Sequence, residues 1–337
     1  MSLVGIIANP ASGKDIRRLI SEAGAVDNRD KARVVRRVLR GMAVGELNEV
    51  VLMPDRFGIG AQAVDGLELP FRVRHLDMPV TGTQEDSMRA TQYLRQEGAT
   101  CVVVLGGDGT HRVVAKECGS IPLVALSTGT NNVWPQHTEG TIAGMAAVLI
   151  AQGTVSQETA VHQTKRLEVF LGEDLVDIAL VDIATYAGSF TGSKAVWEPD
   201  RIGELVLSTV APGTLGLSAI GAALPDIRYE DRPGLYLRMG ADGNQVMAAI
   251  APGLVKEFSI CESRQLSPGE MVELVHGPCV LALDGEREVL ISETDRVRIV
   301  LTCNGPFRVC VEEALRIAAG AGYFTKNASR DIGCTQK

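Results

Sequence analysis

Residues 101–105 are apolar without exception and run straight into Gly106-Gly107-Asp108-Gly109-Thr110. A run this short and this apolar, closed by glycines, reads as a strand buried on both faces. Such strands belong to parallel sheets, because crossover helices must cover both sides. Residues 3–8, 49–53, 71–76 and 122–126 also read as strands. Between them, residues 31–40, 86–97, 111–118 and 141–152 have helical periodicity or helix stop signals, with Val34, Val35, Val38 and Leu39 on one face of the first. The alternation predicts an α/β N-terminal domain around a parallel sheet.

The texture changes near residue 160. Residues 166–170 and 175–183 alternate about Gly172-Glu173-Asp174, and residues 235–239 and 245–250 flank Asp242-Gly243-Asn244. Short strands follow at 272–275, 280–283, 289–291 and 297–301. This predicts an all-β sandwich. Residues 307–319 read as a helix returning to the first domain, and the polar tail after Thr325 as mobile. The expected division is 1–158 for the α/β domain, 159–303 for the β domain and 304–337 for the returning segment. Its length also favours two domains, since 337 residues exceed one typical core.

Ligands of parallel sheets bind where strands end and lead into helices. Three loops with unusual composition lie at such ends. In residues 106–110, three glycines let the backbone approach a ligand, and the helix that follows offers free N–H groups suited to phosphate. Asp108 would repel phosphate, but it suits orienting Mg²⁺ or accepting a hydroxyl proton. Thr110 suits a cap or a phosphate contact. A tight turn with Asp108 or Thr110 as cap is the plainer reading. The second loop is Ser127-Thr128-Gly129-Thr130-Asn131-Asn132, a polar cradle for phosphate or ribose, or a helix cap. The third, Asn9-Pro10-Ala11-Ser12-Gly13-Lys14, is not a Walker A loop: Ala8 stands where glycine is needed and Asp15 where Ser or Thr is needed. In the β half, Asp284-Gly285 before Glu286 is a hairpin signal.

The net charge of −8 argues against nucleic acid and against an anionic membrane surface. No apolar run is long enough to span a bilayer, and the N-terminus lacks a basic region before its short apolar stretch. The seven cysteines are odd in number and have no Cys-x-x-Cys spacing, which points to reduced thiols, most of them buried, and a cytoplasmic protein. The five histidines have no metal spacing; His111, next to the glycine loop, reads as a helix-start residue or a ligand contact. A Gly-x-Ser-x-Gly elbow is missing, so nothing argues for a serine hydrolase.

Taken in order, the Asn9 loop, Gly106 to Thr110, the Thr128 loop and Asp284-Gly285-Glu286 resemble the NAD kinase and diacylglycerol kinase superfamily. Within it the chain looks most like the ATP-NAD kinase-like proteins of acetoin catabolism, the AcoX group. The resemblance implies an ATP- and Mg-dependent kinase acting on a hydroxyl of a small soluble acceptor. It implies nucleotide contacts from Asn9, Ser12, Gly13, Gly106, Gly107, Gly109, Thr110, Thr128, Gly129, Thr130, Asn131 and Asn132. It makes Asp108 the catalytic base, with Asp284 and Glu286 as the late carboxylate pair and Asp108 and Asp284 near Mg²⁺, directly or through water. It also implies a homo-oligomer built through the β domain. NAD kinases carry an Asn-Glu pair at the start of that domain, and the match here is Val181-Asp182, which leaves Asp182 to contact the acceptor. Ser208 to Gly213 matches their Thr-x-Thr-Gly-Ser segment only loosely. Two readings stay open: a kinase, and a nucleotide sensor without catalysis.

Overall fold

A computed structural model describes residues 2–13, 26–129, 132–187, 201–224, 233–274 and 278–325. The first part runs β1 (Leu3–Ala8), α1 (Asn28–Met42), β2 (Glu49–Leu52), α2 (Ile59–Val64), β3 (Arg72–His75), α3 (Glu85–Gln96), β4 (Cys101–Gly106), α4 (Asp108–Ala115), β5 (Leu123–Ser127), α5 (Gly140–Ala151), α6 (Gln157–Ala160) and β6 (Val161–Gln163). The second runs β7 (Arg166–Leu171), β8 (Asp174–Ala179), β9 (Asp182–Tyr186), β10 (Ile202–Leu207), α7 (Ser218–Ala222), β11 (Gly234–Ala251), β12 (Leu254–Leu266), β13 (Met271–Glu273), β14 (Cys279–Leu283), β15 (Glu286–Ile291), β16 (Val297–Thr302), β17 (Phe307–Val309) and α8 (Val311–Gly320).

The first sheet has the order β3-β2-β1-β4-β5-β17-β6, parallel throughout except where β17 meets β6. Successive residues of its strands face opposite cores. Val103 and Leu105 pack on one side with α1, α5 and α8, while Val102 and Val104 pack on the other with residues of α3 and α4. That two-sided burial is why the strands read as unbroken apolar runs. The chain leaves β1 toward β2 on one side and comes back to β4 and β5 on the other. The reversal opens a crevice at the carboxyl ends of β1 and β4, where such sheets bind ligands. Helices α1 and α5 cross closely enough that a Cβ on Gly41 would lie 2.0 Å from the Thr141 carbonyl oxygen.

The second part is antiparallel. A six-stranded sheet, β12-β11-β10-β9-β14-β15, faces a four-stranded sheet, β13-β16-β7-β8. Ile183, Val206 and Leu281 of one meet Leu167, Val169 and Ile299 of the other in the core between them. Helix α7 covers the outer face of the larger sheet through Ile220.

Three expectations change. Residues 307–309, expected in the last helix, form β17, because Arg308 finds an open edge beside Leu123 of β5 and pairing there overrides local helical preference. Asp242-Gly243-Asn244, expected as a turn, is a bulge inside the long strand β11: the register slips between Met239 and Asn244, both paired with Ile260. A Cβ on Gly243 would lie 2.2 Å from the Ile260 carbonyl carbon, so glycine permits that close approach. Residues 175–183, expected as one strand, are two, broken at Leu180 and Val181, where the chain passes from the smaller sheet to the larger. The six described cysteines are free thiols, with Cys101, Cys118 and Cys279 buried and Cys261 and Cys303 exposed. Among the described residues no helix is long and apolar enough to cross a membrane.

Candidate functional site

The three polar loops meet at the crevice. The Asn9 amide N–H donates to the Leu105 carbonyl of the neighbouring strand at 3.2 Å, and its side-chain Nδ2 donates to Thr110 Oγ1 at 2.9 Å. Ser12 Oγ lies 3.0 Å from Thr128 Oγ1, and the Thr128 amide donates to the Gly106 carbonyl. Gly13 has φ of 71°, which places it in the left-handed region that glycine adopts freely. Asn132 knits the second loop to the first: Nδ2 donates to Ser127 Oγ at 2.8 Å, and Oδ1 accepts from the Asp108 amide at 3.3 Å. Thr130 and Asn131 lie outside the described residues, as do Lys14 and the tail after Thr325.

The glycines of the central loop answer to protein neighbours as well as to any ligand. A Cβ on Gly106 would lie 2.4 Å from Thr110 Cβ, and one on Gly107 would lie 2.8 Å from Asn132 Oδ1. One on Gly109 would lie 2.9 Å from Glu286 Oε1. The β14–β15 turn therefore stands directly over the start of α4, with Glu286 as its nearest carboxylate.

Asp108 is the first residue of α4 and is 8% exposed. Its Oδ1 accepts from the Trp134 amide at 2.8 Å, and its Oδ2 accepts from the Val133 amide at 3.0 Å. It thus ties the glycine loop to the segment after β5, and the helix dipole favours its negative charge there. Asp284 is placed differently. Its carboxylate accepts the amides of Leu180, Val181 and Asp182 at 3.0, 2.7 and 3.2 Å, filling the gap left where β8 ends and β9 begins. Its side chain is 0% exposed, and Arg112 Nε stands 3.9 Å from Oδ2. Burial pushes the Asp284 carboxyl up, against the pull of Arg112 and the three amides. Asp284 also holds φ of 51°, strained for a residue with a side chain. In this geometry it braces the turn from inside. Asp182, next to it, is 6% exposed.

Two further residues belong to this region. Arg112, one helical turn after Asp108, is 1% exposed and reaches Asp177 Oδ2 at 3.2 Å, while Lys116, a turn further, reaches Asp177 Oδ1 at 2.6 Å. The 108-112-116 spacing on one helix face was the available signal. Lys31 is fully buried beneath the Asn9 loop. It occupies the same stripe of α1 as Val35, Val38 and Leu39, and a lone charge on an apolar stripe was its signal. His111, also fully buried, holds Gly107 O through Nδ1 at 2.8 Å and lies 5.1 Å from the Trp134 ring. Burial lowers its pKa to about 4. Among the described residues no three His, Cys, Asp or Glu side chains converge as metal ligands would.

The ATP-NAD kinase N-terminal domain matches residues 4–154, and the acetoin catabolism protein X C-terminal domain matches residues 165–304. Acetoin catabolism protein X of Cupriavidus necator is 36% identical over 314 residues, covering 89% of this chain and 87% of that protein. Among solved structures, yeast NADH kinase complexed with NADH aligns over 100% of this chain and 90% of its own, with a TM-score of 0.48 and 13% identity.

Proposed function

The chain belongs to the family of acetoin catabolism protein X, and on that premise we propose that it is a kinase, moving a phosphoryl group from ATP to a hydroxyl of a small soluble acceptor. One observation carries the reading. The loops ending β1, β4 and β5 converge at the reversal of strand order, and a carboxylate from the β domain stands over the start of α4.

Amides and hydroxyls of the Asn9, Gly106 and Thr128 loops would hold the polyphosphate, with the α4 dipole adding to its attraction. Asp108 and Glu286 would face the reacting end. The acceptor oxygen bonds to phosphorus as the bond to the leaving oxygen breaks, and the hydroxyl proton passes to Asp108. Such a base contributes roughly 10²- to 10⁴-fold, and positioning most of the rest. The carboxylates of Asp108 and Glu286 would hold a magnesium ion bound to the triphosphate, and that ion would neutralise phosphate charge. Asp284, turned inward onto three amides, fits as a brace for the turn and not as a direct ligand. Asp182 and the long β11–β12 hairpin complete the proposal: the first as an acceptor contact, the second as a surface for self-association through its exposed Met247 and Val255.

The test is transfer of label from radiolabelled ATP, with Mg²⁺, to NAD, NADH, diacylglycerol, acetoin or butanediol. Acetoin and its diol are included because the relative is named for acetoin catabolism. Label in a hydroxyl compound supports the kinase. Failure of the protein to bind any nucleotide sinks it.

A second reading, a nucleotide sensor, is favoured by one observation: both Asp108 and Asp284 serve backbone amides in this structure. It expects tight ATP or NAD(H) binding with no label in any acceptor.

A further inference from the structure

Among the described residues, the ammonium of Lys31 holds four oxygens around the first loop. Nζ donates to the carbonyl oxygens of Asn9 at 2.9 Å, Pro10 at 3.1 Å and Ser12 at 2.6 Å, and to Asn28 Oδ1 at 3.2 Å. The residue is 0% exposed. Oxygens gathered this way make the kind of site that binds a small cation, and here the cation is tethered to α1. Nothing in the proposed chemistry uses Lys31, yet a buried charge is costly unless it is matched by such partners.

We infer that Lys31 is a positioning residue, an internal cation that shapes the Asn9–Gly13 loop for nucleotide. The planar trans peptide gives the reason. A carbonyl drawn to one side turns the N–H of the same peptide to the other. With the Pro10 and Ser12 carbonyls held by Lys31, the Ala11 and Gly13 amides point away from it. The Ala11 amide is taken up by Asn9 Oδ1 at 2.9 Å, which fixes the side chain whose Nδ2 holds Thr110. The Ser12 hydroxyl donates to the Asn9 carbonyl that Lys31 also holds, at 2.8 Å, and meets Thr128 Oγ1 on its other side. One ammonium thereby sets both contacts that join this loop to its two neighbours. The inference rests on the kinase reading only for the identity of the ligand.

Chemical rescue tests it in the full chain. Lys31→Ala removes the atoms of a propylammonium ion and leaves the carbonyls in place. The variant is expected to bind ATP about tenfold more weakly, the size of one charge-assisted hydrogen bond. Millimolar propylammonium should restore binding, while propanol, of similar shape but neutral, should not. Lys31→Met, with length but no charge, should bind as weakly and resist rescue. Hydrogen exchange across residues 9–13 gives a readout that needs no nucleotide: faster in Lys31→Ala, slowed again by propylammonium, with exchange in β4 and α4 unchanged. Wild-type ATP affinity in Lys31→Ala, or equal rescue by propanol, overturns the inference. If the wild-type protein binds no nucleotide, the kinase reading fails, and unaltered exchange in residues 9–13 of the variant would overturn this inference separately.

Discussion

Arg112 of α4 and Asp284 of the β14–β15 turn belong to different domains, and Nε of one lies 3.9 Å from Oδ2 of the other with both side chains essentially unexposed. The same guanidinium reaches Asp177. Removing that cation takes the neighbouring positive charge from the buried Asp284 carboxylate, while Asp177 keeps Lys116. Arg112→Met is expected to lower stability by about 3 kcal/mol. Asp284→Asn in the same chain should return part of that loss, because the uncompensated charge is then gone. Urea unfolding of both single variants and the double variant measures the coupling, and strictly additive losses would show that the two groups do not interact.

Gly109 and Glu286 supply a sharper probe of the cleft. Gly109 lies inside α4, so alanine suits its backbone and the change in stability should stay within about 1 kcal/mol. The added methyl would meet Glu286 Oε1 at 2.9 Å and push that flexible carboxylate off the start of the helix. Gly109→Ala should therefore lower turnover while leaving ATP affinity nearly unchanged. Glu286→Gln should lower it too, and the double variant should be no worse than the poorer single one. Steady-state kinetics on the labelled-ATP assay separates these cases. An unchanged turnover number in Gly109→Ala would remove Glu286 from the reacting end.

Asp108→Asn keeps one oxygen to accept from the Trp134 or Val133 amide and turns an NH₂ group toward the other. The expected stability loss is about 1–3 kcal/mol, the range for a spoiled buried hydrogen bond. Turnover should fall by roughly 10²- to 10⁴-fold, since the amide cannot take the hydroxyl proton. Calorimetric titration should still find nucleotide binding. Turnover at the wild-type rate would assign Asp108 to loop fastening alone.

The parallel sheet was legible because two-sided burial leaves an unbroken apolar run, as in residues 101–105. The loops were legible because strand ends in such sheets are where polar, glycine-rich sequence stands out. What escaped the sequence were effects of partners far away in the chain. Nothing local says that Asp284 will cap Leu180, Val181 and Asp182, some hundred residues earlier, or that this will split a run that alternates like one strand. Nothing local separates a turn from a bulge at Gly243, where the deciding contact is the backbone of Ile260. Lys31 and Arg112 were visible only as charges on otherwise consistent helix faces, and their acceptors come from other elements.

His111 supplies the pH dependence. Burial is the main cause that lowers its pKa from 6.5 to about 4, with Arg308 adding to it and the Gly107 carbonyl opposing it. A depressed value means the unfolded chain binds the proton more tightly than the folded one. The stabilising term is therefore complete above pH 6.5 and is lost as the pH falls through 4. Its full size is about 3 kcal/mol for a wholly buried imidazole. His111→Gln can keep a donor toward the Gly107 carbonyl but has no proton to gain. Its unfolding free energy should fall less steeply than that of the wild type between pH 6.5 and pH 4. Chemical denaturation at half-unit pH steps, fitted for each protein, gives the two slopes, and superimposable slopes would mean that His111 is already protonated in the folded state at neutral pH or is open to water.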